Sequence, residues 1–110
     1  MVMIFSDPLA RAQLLNVGLV YTYRKKRRKK VGKDWANKEY GTSKICDIFI
    51  EEVGKMKVRD LRTYVDHSGF NRLSDWYGAI VQLNNGWNIG EDIGWLYRVR
   101  KTSQTAEEEK

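Results

Sequence analysis

Between Arg24 and Lys33 the sequence reads RKKRRKKVGK, eight basic residues in ten with no acid among them. A core does not accept such a segment, because a buried charge without a partner costs far more than packing returns. The run must therefore lie at the surface, and apolar elements on either side of it must build the fold. It also repels itself. Residues of an extended chain are about 3.5 Å apart, well inside the ~8 Å Debye length at physiological salt. Nearby acids or a polyanionic partner relieve that repulsion.

The run accounts for the charge of the whole chain. The 110 residues carry 20 Lys and Arg against 14 Asp and Glu, a net charge of +6. The 12 bases outside the run are outnumbered by the 14 acids. One concentrated basic element on a slightly acidic domain argues for a polyanion partner better than diffuse basicity does. A chain of 110 residues forms one domain, and its 42% apolar content with 4 Trp, 6 Tyr and 3 Phe suffices for a core. No apolar stretch approaches the ~20 residues of a membrane span. The start, MVMIFSDPLARAQ, lacks the basic beginning and apolar centre of a secretory signal. A single cysteine, Cys46, excludes an internal disulfide and a cysteine-rich zinc site, and the expected setting is cytoplasmic and reducing.

Ser6 or Asp7 followed by Pro8 reads as a helix start, and Gly18 as its end, with Leu9, Ala12 and Leu15 expected inward. LVYTYR (19–24) reads as a strand with Leu19, Tyr21 and Tyr23 on one face and Val20, Thr22 and Arg24 on the other. The basic run follows and either prolongs that strand or forms a loop. Residues 32–43 have turn composition and read as loop. ICDIFIEEV (45–53) reads as a strand with Cys46, Ile48 and Ile50 on its apolar face. Val58, Leu61, Tyr64 and Val65 mark a short helix that Ser68-Gly69 breaks. Asn71 is placed to cap a second helix carrying Leu73, Trp76, Tyr77 and Ile80. WLYRVR (95–100) alternates as a last strand, and Met1 to Phe5 offers a further one. The domain is expected over 1–101, with 102–110 a polar acidic tail. Strands and helices that do not interleave regularly indicate an α+β fold.

The order of these pieces resembles the ASCH domain of the PUA-like superfamily. The resemblance is carried by Gly18 before a strand ending Thr22-Tyr23-Arg24, the basic stretch leading to Gly32, and the long central strand. Ser68-Gly69-Phe70, the helix around Trp76, and GWLYRV (94–99) continue it. It implies a small PUA-like β-barrel with short helices packed across one side and a cleft between them. It further implies RNA binding or nucleotide-related chemistry. Some members hydrolyse acetylated cytidine with a lysine three residues before the threonine and a glutamate in the later helical region. Here Leu19 stands at the lysine position and Ser68 or Gly69 near the glutamate position, so only Thr22 matches.

The expected interface is Arg24, Lys25, Lys26, Arg27, Arg28, Lys29, Lys30 and Lys33, with Thr22 beside Arg24 on a face that the resemblance turns into the cleft. A planar arginine fork suits a phosphate or a base edge. Tyr21, Tyr23, Trp35 and Tyr40 flank the run, and exposed rings among cations suit single-stranded nucleic acid. Tyr21 and Tyr23 read better as core, whereas Trp35 in its polar stretch joins the expected interface. Eight charges engaged with a single strand would give a log–log salt slope of about −6. His67 is the lone histidine, so it has no second histidine for a metal site or relay, and Cys46 reads as buried and inert. No catalytic residue, metal ligand or cofactor motif is assigned. The expected activity is binding of nucleic acid, RNA or single-stranded, with no membrane. The alternatives are a hydrolase of modified nucleosides or RNA in the same cleft, and a protein-interaction module whose acidic tail shields the basic run.

Overall fold

A computed structural model describes residues 2–5, 7–37, 44–83 and 93–102. Among these residues the fold is α+β: a five-stranded sheet curled into a half-barrel, with three helices. The strands are β1 (Val2–Ile4), β2 (Leu19–Arg24), β3 (Gly32–Asn37), β4 (Cys46–Lys57) and β5 (Ile93–Lys101). Their order across the sheet is β1-β3-β4-β5-β2. β1 runs parallel to β3, and every other pair is antiparallel. Helix α1 (Pro8–Val17) crosses from β1 to β2. A 3-10 helix (Val58–His67) and helix α2 (Leu73–Leu83) lie between β4 and β5.

The sequence cues at both ends of α1 act as expected. Asp7 Oδ1 accepts from the Leu9 and Ala10 amides at 2.8 and 3.4 Å, Pro8 opens the helix, and Gly18 ends it in the left-handed region at φ 87°. The buried face differs from the expected one. Leu14 and Ala10 turn inward, while Ala12 and Leu15 are exposed and Leu9 is 52% exposed. A helix lying over the open side of a curled sheet buries only a narrow stripe, and a spacing of four residues satisfies that stripe.

Residues 32–37 form β3, not the expected loop. GKDWAN lacks the β-branched content of a strand, and its pairing comes from neighbours: Gly32 to Ala36 pair with Ile50 to Cys46, and β1 pairs along the other edge. Tertiary pairing overrides weak β propensity here. The basic run does not prolong β2, which ends at Arg24. The central strand starts at Cys46 and continues four residues past the expected Val53, to Lys57, through a bulge between Glu52 and Gly54. The next segment is a 3-10 helix, and the spacing of Val58, Leu61 and Tyr64 matches its period of three residues. Helix α2 begins at Leu73, its first turn bonded to the Arg72 carbonyl by the Asp75 and Trp76 amides. The loop 84–92, Tyr40 and the tail 103–110 lie outside the described residues.

Strand alternation splits the apolar residues between two sheet faces. The inner face gathers Val20, Ala36, Cys46, Ile48, Ile50, Tyr97 and Val99 with Met3, Phe5 and Leu14. The outer face at the β2–β5 end carries Tyr23 and Leu96 beneath Val58, Leu61, Phe70, Trp76 and Ile80. The helices are thus not all on one side: α1 packs on the inner cluster, the 3-10 helix and α2 on the outer one. Two glycines allow close approach. A Cβ on Gly69 (φ 94°) would lie 2.5 Å from the Leu9 carbonyl oxygen. A Cβ on Gly94 would meet the Tyr23 ring at 2.5 Å, and Tyr23 is tethered by its hydroxyl to the Met56 carbonyl at 2.7 Å. Among the described residues no helix is long and apolar enough to cross a membrane.

Candidate nucleic-acid interface

The loop from Lys25 to Val31 carries most of the basic run, and three contacts to the inner face of the sheet hold it. Tyr97 is fully buried on β5, and its hydroxyl oxygen accepts from the Arg28 amide at 2.6 Å. The Arg28 guanidinium bonds Asp34 of β3 at 2.8 Å, in a pair whose side chains are only 15% and 5% exposed. Arg27 forks onto both carboxylate oxygens of Glu52 on β4, at 2.8 and 3.2 Å. That hydrogen bond and the charge of Glu52 push the Arg27 pKa further up. Arg27 also lies 4.8 Å from the centre of the Trp95 ring.

These contacts divide the expected site. Arg27 and Arg28 are structural pins with their charges answered by acids. Lys26, Lys29, Lys30 and Lys33 are exposed and form no ion pair among the described residues. Two acids thus relieve part of the self-repulsion of the run, and the remaining charges project from a backbone fixed in place.

A cleft of about 250 Å³ follows the free edge of β2, between the start of α1 and the face of α2. Thr22, Arg24 and Lys25 line it, together with Tyr21, Tyr23, Phe70 and Trp76. Arg24 does not pair with Asp47 or Glu51. Its Nε donates to Thr22 Oγ1 at 3.1 Å, its Nη2 donates to the Ile4 carbonyl at 2.8 Å, and its guanidinium lies 5.4 Å from the Phe5 ring centre. Arg24 is therefore a strut between β2 and β1, and Thr22 orients it. Asp47 is bound by Lys44 at 3.0 Å, and Glu51 faces Arg100 at 3.8 Å. The carboxylate lining the cleft, Asp7, is engaged as the cap of α1. Ser68 is fully buried, donating to the Val65 carbonyl and accepting from the Phe70 amide.

The tyrosines beside the run belong to the outer packing: Tyr23 is buried, and Tyr21 stacks obliquely on Tyr64 with ring centres 5.0 Å apart. Trp35 is exposed, on a strand face instead of in a loop. His67 ends the 3-10 helix at the surface, with its ring edge toward Tyr21. Cys46 is buried, and burial pushes its thiol up, away from the reactive thiolate. No group of three metal-ligating side chains occurs among the described residues.

Two residues near the run escaped sequence reasoning. The register aligns Arg24, Trp95 and Lys55 in one row across β2, β5 and β4. Lys55 Nζ lies 6.0 Å from the Trp95 ring centre, so Trp95 is flanked by two cations. Only the bulge register brings Lys55 there, and a bulge at Val53-Gly54 leaves no unambiguous trace in sequence. No family model, characterised protein or solved structure matches the chain.

Proposed function

We propose that the chain is a binding module for single-stranded nucleic acid, with RNA the favoured form. The observation that carries this reading is the separation of charges within the basic run. Arg27 and Arg28 anchor the loop internally, leaving Lys26, Lys29, Lys30 and Lys33 exposed, without acidic partners among the described residues, on a backbone held by Tyr97. Such a ridge attracts a phosphate backbone by releasing its counterions, at little ordering cost. The adjoining cleft, with Thr22 and the strut Arg24 in its wall, has the size and mixed lining to take a base or a terminal nucleotide.

The half-barrel, the cleft and the order of the helices support a PUA-like relationship and, within it, an ASCH-type domain. A hydrolase reading finds less support. Leu19 stands at the lysine position, and the acid lining the cleft caps a helix. An intracellular, reducing setting fits a buried lone thiol.

The test is a titration of the purified protein with fluorescent single-stranded RNA, single-stranded DNA and duplexes at several salt concentrations. Saturable binding that prefers a single strand supports the reading. Binding indifferent to nucleic-acid type and lost at physiological salt overturns it.

A further inference from the structure

Among the described residues, the outer face of the sheet is covered at one end only. The 3-10 helix and α2 pack over Tyr21, Tyr23, Met56 and Leu96, whereas Trp35 and Phe49, outward on β3 and β4, belong to neither apolar cluster. Trp35 is 41% exposed, unusual for so large an apolar side chain in a small domain. Register sets Lys33, Phe49 and Arg100 in one row across β3, β4 and β5, with Trp35 diagonal to Phe49. The Arg100 guanidinium lies 5.2 Å from the Phe49 ring centre, and half of its side chain is open to solvent. A shallow groove of about 440 Å³ runs among Lys33, Trp35, Asp47, Phe49 and Thr102.

Charge on this face favours a polyanion. Its two acids among the described residues are engaged, Asp47 by Lys44 and Glu51 by Arg100. Lys33, Lys44, Arg98 and Arg100 outnumber them, and the exposed Lys29 and Lys30 lie just before β3. Rings and a guanidinium plane beside cations are the elements on which unpaired bases stack. Diagonal neighbours on adjacent strands sit about 7–8 Å apart, a distance that a splayed single strand spans between neighbouring bases.

We propose that this face is a stacking platform for two bases of a single strand. One base lies on the Trp35 indole, the other on the Arg100–Phe49 pair. Lys33 meets the phosphate between them, and the strand continues toward Lys30 and Lys29. The inference rests on the nucleic-acid reading above and adds a second contact surface, on the opposite side of the sheet from the inner cluster.

The test compares an oligouridine of about 12 nucleotides, within the usual span of single-strand sites, with an oligomer of equal length whose bases are removed. Both carry the same phosphates. Wild type should bind the oligouridine at least about tenfold tighter. Trp35→Ala and Phe49→Ala should each lose about half of that advantage on a logarithmic scale with an unchanged salt slope, and Trp35→Phe should retain more of it than Trp35→Ala. Circular dichroism and urea midpoints establish that the variants are folded. If both alanine variants discriminate the oligomers as wild type does, the platform is wrong while the binding reading stands. If wild type binds neither oligomer, the binding reading itself fails and the platform with it.

Discussion

Replacing Lys26, Lys29, Lys30 and Lys33 together by glutamine removes four exposed charges of the run that form no ion pair among the described residues. Each phosphate contact on a single strand contributes about −0.7 to the log–log slope of affinity against salt. Four such contacts give about −3, where eight would give about −6. Between roughly 50 and 200 mM salt, a slope of −3 weakens binding about sixtyfold, and a slope of −6 about four-thousandfold. The assay is fluorescence anisotropy of one labelled single strand at four or more salt concentrations. The wild-type slope should fall near −3, and the quadruple variant should be nearly flat. All four side chains are exposed and their charges repel one another, so its thermal midpoint should equal or exceed that of wild type. A wild-type slope near −4 would mean that Arg27 and Arg28 leave Glu52 and Asp34 to join the strand, and one near −6 that Arg24 and Lys25 join as well; either refutes the division of the run. An unchanged slope in the quadruple variant would refute phosphate contact by these lysines.

Tyr97→Phe removes the acceptor of the Arg28 amide and should cost about 1 kcal/mol in urea unfolding, with faster hydrogen exchange at that one amide as its signature. Asp34→Asn leaves the Arg28 guanidinium poorly matched in a half-closed site and should destabilise by about 2 kcal/mol, read from the same unfolding curves. Gly69→Ala combines a left-handed backbone with a contact on the Leu9 carbonyl and should destabilise by about 2 kcal/mol or more, with loss of the cleft visible as shifts in the α1 amide resonances. The thiol of Cys46 should resist alkylation in the native state and react on unfolding. Because its folded pKa is raised, its contribution to stability is present below the ordinary thiol range, about 8.5, and is lost as pH rises through and above it, which urea midpoints across that range should show against Cys46→Ala.

What could be read from sequence was what local chemistry decides. Asp7-Pro8 and Gly18 bound α1 because caps act within a turn. β4 and β5 are legible because Cys46, Ile48 and Ile50, and Tyr97 and Val99, alternate strongly enough to fix a face. β3 is hidden because GKDWAN becomes a strand only through its neighbours. The burial of Ala10 in place of Leu9 depends on how α1 crosses the sheet, which composition does not encode. The candidate site divides in the same way. The basic run is conspicuous, but which of its charges are engaged depends on Glu52, 25 positions beyond Arg27, and on Tyr97, 69 positions beyond Arg28.

The strut at Arg24 has a consequence for self-association. An open sheet exposes two rows of unpaired backbone groups, each a template for a foreign strand. Here β1 is three residues long, and the Ile4 carbonyl at its end is taken by Arg24. On β2, the Leu19 carbonyl is taken by Gln13 from α1, and the rest of that edge lines the cleft behind Phe70 and Trp76. The half-barrel is thereby protected against edge-to-edge polymerisation without closing into a full barrel. Cutting the strut, as in Arg24→Met, should make the protein nucleate β-rich aggregates, seen by light scattering, before circular dichroism shows loss of its native secondary structure.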